Sequence, residues 1–231
     1  MQLFILLMVS GMCHAQYSNH QLYEAYLTRD MRIWQQYIVS ANWDSLKVEE
    51  KKQLVNYEYG FTAYILGQDQ EEARKHIALF EQHLNALKHQ LPQAQYYAYL
   101  SSVYTYKLGL DKKHLMKYAS GIFDNIKRAM ELDDEDPLVL SMQGNVEFYS
   151  PFGSKKKALE YYLKADSIYH QMPNTAELWN VRAVQMTIVQ CLAKMNRAED
   201  AKQQCMQFLE EEPDCVIFQN LLSELTNPSN N

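Results

Sequence analysis

The chain has 231 residues, 47% hydrophobic and 22% charged, enough for one sizeable core or a short repeat array and far from a disordered composition. Its net charge of −6 repels a phosphate backbone, so the sequence points away from nucleic acid. Only 7 Gly and 6 Pro are present, too few turn residues for an all-β fold of short strands.

Residues 1–15, MQLFILLMVSGMCHA, read as a signal peptide. Leu3 to Val9 form an apolar run too short to span a bilayer, and Cys13-His14-Ala15 supplies small residues at the positions a signal peptidase reads. No Lys or Arg precedes the run, so the α-amino group is its only positive charge. Cleavage after Ala15 starts an exported chain, periplasmic or secreted, at Gln16. Acylation of Cys13 is the lipid-anchored alternative, although bulky Met12 stands where a small residue is expected. No later segment has a long uncharged apolar run, so no integral membrane segment is expected after cleavage.

From residue 16 to 226 the chain predicts helices in pairs: about 20–28 with 30–42, 49–66 with 70–90, 93–108 with 112–133, 137–149 with 155–171, and 175–194 with 198–211. An end helix at 214–226 and a polar tail at 227–231 follow. The prolines fall between these segments, as they should when an interior proline costs about 3 kcal/mol. Ala73, Ile77, Phe80, Leu84, Leu87 and Leu91 alternate spacings of four and three, which places them on one helical face. Leu115, Ala119, Ile122, Ile126 and Ala129 repeat the pattern, as do Ala158, Tyr162, Ala165, Tyr169 and Met172. Ala198, Ala201, Cys205 and Phe208 close the series. For the last helix, Gln219, Ser223 and Glu224 predict the polar outer face an array needs at its end.

A turn residue precedes each stripe: Gly67, Gly109, Gly153 and Asn196, separated by 42, 44 and 43 positions. Gly60, Ser102 and Gly144 recur 42 apart within the preceding helices. A small residue costs propensity there, so a close approach by a neighbouring helix is expected. This repetition predicts an all-α fold, an α-solenoid of stacked antiparallel helix pairs.

These residues resemble tetratricopeptide repeats. In IVQCLAKMNRAEDAKQQCMQFLEEEP, residues 188–213, Ile188, Val189 and Leu192 fill the first-helix places, Asn196 the turn, Ala201 the small residue and Pro213 the close. Gly144 with Ala158, Tyr162 and Ala165 matches in the unit before, and Tyr59, Gly60, Ala63, Gly67 and Ala73 in an earlier one. The period is about 43, against about 34 in that family, and Phe208 stands in a small-residue place. The resemblance implies a superhelix whose first helices line a concave groove, and a protein that holds a partner.

Motifs for chemistry are absent. The glycines form no phosphate-cradling loop, and no nucleophile elbow, paired-histidine zinc helix or CxxC occurs, so the sequence predicts neither an enzyme nor a cofactor nor a metal. Glu147 is the one carboxylate placed near the groove, without the second acid that glycoside hydrolysis requires. His76, His83 and His89 read as solvated histidines. Asp136 before Pro137 reads as a helix cap in the acidic turn 133–136, and Lys155 to Lys157 as a solvated run. Cys191, Cys205 and Cys215, left after cleavage, read as buried small hydrophobes, with a Cys191–Cys205 disulfide left open.

The 17 tyrosines carry the functional expectation. On the geometry the resemblance implies, Tyr57, Phe61, Tyr64, Tyr96, Tyr99, Tyr106, Asn145 and Gln190 face the groove. Tyrosine offers rigid apolar area with a polar tip, and Asn and Gln can bond a partner's backbone. The expectation is a protein or peptide partner. The alternative is a small ligand or glycan bound in association with envelope transport, which needs a closed pocket of about 300 Å³ or more, not an open, shallow groove. Filling of the interhelical core is the other use for the same aromatic rings.

Overall fold

A computed structural model describes residues 17–172 and 178–227, all helix and turn with no strand among them. Predicted residues 1–15, the helix start at 175 and the tail from 228 lie outside the described residues. The helices are α1 (Asn19–Thr28), α2 (Arg32–Ser40), α3 (Val48–Leu66), α4 (Gln70–Ala86), α5 (Gln93–Leu110), α6 (Leu115–Leu132), α7 (Pro137–Tyr149), α8 (Lys155–Gln171), α9 (Leu178–Lys194), α10 (Ala198–Glu211) and α11 (Val216–Thr226).

Local chemistry sets the boundaries. The Ser18 hydroxyl accepts the Gln21 N–H, and the Gln21 amide accepts the Ser18 N–H, opening α1. Asp69 accepts the N–H groups of Glu71 and Glu72 at the head of α4. Asp136 accepts those of Leu138 and Val139 at 2.9 and 3.1 Å, with Pro137 at the first helical position, as expected for this turn. Asn196, at φ 59°, supplies the left-handed residue that ends α9, and the Arg197 N–H reaches back to the Leu192 carbonyl.

The repeat positions are related but not identical. Gly67 directly follows α3, Gly109 is still inside the last turn of α5, and Gly153 sits four residues beyond α7. A 3₁₀ turn, Lys112–His114, absorbs the difference before α6. The stripes are also shorter than predicted: Ala73, Ile77, Phe80, Leu84 and Leu87 are buried, whereas Leu115, Met172 and Ala198 at the stripe ends are exposed. Ala158 and Ala201 are fully buried, and Pro213 is exposed between α10 and α11.

Helices pack as the pairs α3–α4, α5–α6, α7–α8 and α9–α10, and the first members also touch in series, α3 to α5 to α7 to α9. The first helices therefore form an inner layer. Burial on several faces explains why α5 carries Ala98, Tyr99, Ser101, Ser102, Val103 and Tyr106 in the core with no polar side to spare. The array then closes on itself. Helix α1 packs on α2, α9 and α11, and Trp34 of α2 meets Trp179 of α9 edge-on, with ring centroids 5.1 Å apart. Trp34 is fully buried and donates its indole N–H to the Leu22 carbonyl at 2.7 Å. Gly60 lies beneath both indoles; a Cβ there would stand 2.7 Å from Trp179 and 2.8 Å from Trp34. At Gly144 it would meet the Tyr162 ring at 2.6 Å, so the expected close approach exists at both glycines. Helix α11 buries Ile217 and Phe218 and exposes Gln219, Ser223 and Glu224, as an end helix should.

Candidate ligand-binding cleft

The closure decides where a ligand can sit. Of the side chains expected on the groove, Tyr57, Phe61, Tyr96, Tyr99 and Tyr106 are buried, and Tyr64, Asn145 and Gln190 are half-buried. Tyr57 packs edge-on against Trp34 at 4.7 Å, Phe61 against His76, and Tyr99 against Phe80. The expected partner face is corrected for these five rings, which fill the core: Tyr57 packs on Trp34 of α2 and Trp179 of α9, and Phe61, Tyr99 and Tyr106 pack on α4.

Several polar groups of that inner layer bond one another or α8. The Tyr99 hydroxyl donates to the Asn56 side-chain oxygen at 2.9 Å, and Asn56 donates to Asn180 at 2.8 Å. The Tyr162 hydroxyl donates to Asn145 at 2.7 Å, Asn145 donates to the Tyr59 hydroxyl at 3.2 Å, and the Tyr106 hydroxyl donates to the Tyr59 carbonyl at 3.1 Å. Burial raises the phenols of Tyr59, Tyr106 and Tyr162 well above their ordinary range, so these hydroxyls stay neutral donors.

Histidines are a second correction. His76 and His83 are buried, and only His89 is solvated. His83 Nδ1 lies 2.6 Å from the carboxylate of buried Glu58, and Trp43 stacks on the His83 ring at 3.9 Å. Burial raises the Glu58 carboxyl above its ordinary value, and the His83 contact pulls in the opposite direction. Among the described residues no group of three or more His, Cys, Asp or Glu side chains could hold a metal. Cys191, Cys205 and Cys215 are buried and unpaired, and burial pushes the thiols of Cys191 and Cys205 up to about 11. Lys155, expected in solvent, turns its ammonium to the Phe148 carbonyl and ring, while Lys156 and Lys157 are exposed.

An open cleft of about 580 Å³ lies elsewhere, between α6, α7 and the start of α8. Ile126 and Val146 line it with Met130, Phe123 and Tyr161, and Phe152 stands at the turn between α7 and α8. Phe152 is 93% exposed and Phe123 47%, while neighbouring Tyr149 is 65% exposed. Single exposed apolar residues are ordinary, but aromatic rings lining one concavity mark a place where apolar surface awaits cover. The turn is held rigidly. A Cβ on Gly153 would come within 2.0 Å of the Glu147 carbonyl oxygen, so only glycine fits there. The Glu147 carboxylate accepts the Ser154 N–H at 2.9 Å, and the Ser154 hydroxyl accepts the Lys157 N–H at 3.3 Å to start α8.

Sequence reasoning placed Glu147 near a binding surface but passed over Phe123 and Phe152. Phe123 follows stripe residue Ile122 and points off the stripe, and Phe152 stands between Pro151 and Gly153 in a turn. Large apolar residues outside the periodic pattern were the available signal.

No family model matches the chain, and no curated protein matches it. Among solved structures, the HusA haemophore from Porphyromonas gingivalis has a similar fold, with a TM-score of 0.59 and 16% identity over 81% of this chain and 96% of that one. The all-helical fold is thus one that a known protein also adopts. No helix among the described residues is long and apolar enough to cross a membrane.

Proposed function

We propose that this chain is an exported, non-catalytic binding protein, built on a tetratricopeptide-like array, that takes a small, largely apolar ligand in the cleft between α6, α7 and α8. The observation that carries this reading is the cleft itself, open to solvent with about 580 Å³ of space, whose walls present Phe123, Ile126, Met130, Val146 and Phe152. The filled inner layer favours it over a peptide held in the groove. Support also comes from the shared fold, since the protein with the similar structure is a haemophore, and from the apolar run and cleavage site at the N-terminus.

Titration with the neutral apolar fluorophore N-phenyl-1-naphthylamine, with haemin as a competing probe, tests it. Saturable one-to-one enhancement that Phe123→Ala and Val146→Asp each weaken about tenfold is expected, since each removes or opposes apolar burial on the wall. Enhancement that does not saturate, or that both variants leave unchanged, would sink the reading. Displacement by haemin would extend the neighbour's ligand class to this chain.

A further inference from the structure

Around the cleft, charge and aromatic surface are distributed unevenly. Its lining carries one cation, Lys127, and three acids, Glu131, Asp134 and Glu147. Lys127 reaches Glu131 at 3.9 Å, and Arg128 reaches the same carboxylate at 3.4 Å, so Glu131 is answered from its own helix. Lys164 donates to the Asp134 carbonyl and to Glu135, and the Asp134 carboxylate adds to the field that holds its ammonium charged. Lys155 is turned away toward Phe148. Glu147 is half-buried, and the group it accepts from, the Ser154 N–H, is neutral. The lining as a whole thus carries three carboxylates against one ammonium, and Glu147 takes only a neutral N–H.

The same walls carry Phe123, Phe152 and Tyr161. Aromatic faces have negative quadrupole potential and attract ammonium groups, most strongly where water is excluded. Rings and carboxylates in one concavity therefore favour the same sign of ligand. An anionic amphiphile would meet both as opposing fields.

We propose that the cleft is selective for a freely dissolved small molecule whose apolar body carries an ammonium group, with the body on Ile126 and Val146 and the cation among Phe123, Phe152, Asp134 and Glu147. This rests on the reading of the cleft as the binding site. It also separates this chain's ligand from a dicarboxylate such as haem, despite the shared fold.

The test uses three probes with one decyl chain: decyltrimethylammonium, decyl sulfate and the neutral alcohol, each below its micellar concentration, titrated calorimetrically into the full mature chain. The cation should bind about tenfold more tightly than the sulfate, with the alcohol between them. In the double variant Asp134→Asn, Glu147→Gln the ratio of cation to sulfate affinity should shrink severalfold; the amide oxygen introduced at position 147 can still accept the Ser154 N–H. Equal or tighter binding of the sulfate, or a preference that survives the double variant, would overturn the ammonium assignment and leave the cleft reading standing. Failure of all three probes would overturn both. Phosphatidylcholine vesicles present the same ammonium on a membrane surface, and co-sedimentation with them would overturn the assignment to a dissolved ligand.

Discussion

Asn56 on α3 and Asn180 on α9, 124 positions apart, hold each other through paired amide hydrogen bonds of 2.8 and 3.3 Å. Both are buried, and the Tyr99 hydroxyl completes the group by donating to Asn56. The first and fourth inner helices therefore meet, which an open superhelix would not allow. Buried amides carry a desolvation cost that only such mutual bonding offsets, so this pair fixes one closure geometry.

Asn180→Ala should accordingly lower unfolding stability by about 1–3 kcal/mol, because Asn56 loses a partner inside the core. Exposed Asn19, which accepts a hydrogen bond from Gln53, serves as comparison; Asn19→Ala should stay within about 0.5 kcal/mol. Urea unfolding of the two variants checks this, and equal small effects would remove the closure from the stability account.

The glycines make a graded prediction. Gly144→Ala places a Cβ 2.6 Å from the Tyr162 ring, whose hydroxyl is tied to Asn145 and whose freedom to withdraw is small. A loss of about 1–3 kcal/mol is expected, with a similar loss for Gly60→Ala beneath the two indoles. At Gly67 the nearest atom to a new Cβ is 4.0 Å away and φ is −87°, so Gly67→Ala should gain about 0.4–1 kcal/mol. Melting temperatures that do not separate Gly67 from the other two would contradict the packing described.

Helix pairing was legible in the sequence because each stripe needs only local spacing to be seen: Ile77, Phe80 and Leu84 lie on one face wherever their partner comes from. Closure was not legible. Trp34 and Trp179 meet only after the inner helices have stacked, and an aromatic inner face reads the same whether a peptide or the chain's own helices cover it. The burial of His83 was hidden for a related reason, since its partner Glu58 lies on another helix and its cover, Trp43, in a short 3₁₀ turn. The cleft escaped notice because Phe123 and Phe152 belong to no periodic pattern.

Buried Glu58 makes stability depend on pH. Its folded value is raised from an ordinary 4.5 by burial, so above the unfolded value the native chain holds more proton than the unfolded one. The corresponding stability is present at low pH and is lost as pH climbs through the elevated value. Glu58→Gln, which cannot ionise, should gain in melting temperature relative to the parent as pH rises from about 4 to about 8. Parallel curves for the two proteins would show that the carboxyl is not buried as described.

Arg182 on α9 ties α1 to the end of α10. Its guanidinium donates to the Tyr23 hydroxyl at 3.0 Å, to Gln185 at 2.6 Å and to Glu211 at 2.9 Å, while the Tyr23 hydroxyl donates to Glu212 at 2.7 Å. Arg182→Ala should cost about 1–2 kcal/mol, less than a fully buried charge pair because both glutamates can turn to water. Hydrogen exchange should quicken in α1 before the α5 and α7 core, since α1 is held from the far end of the sequence. Uniform acceleration would argue that the tie has no local role.

Phe152 separates stability from binding. At 93% exposure it contributes almost no buried area to the folded chain, so Phe152→Ser should leave unfolding stability within about 0.5 kcal/mol. A ligand in the cleft would cover that ring, and its loss should weaken the neutral fluorophore about fivefold, a fraction of full phenylalanine burial. Ile126, buried in the floor, behaves in the opposite way: Ile126→Ala should cost about 2–5 kcal/mol of stability whether or not any ligand binds. If Phe152→Ser destabilises the chain and spares binding, the turn after α7 packs on something other than a ligand, and the cleft loses its outer wall.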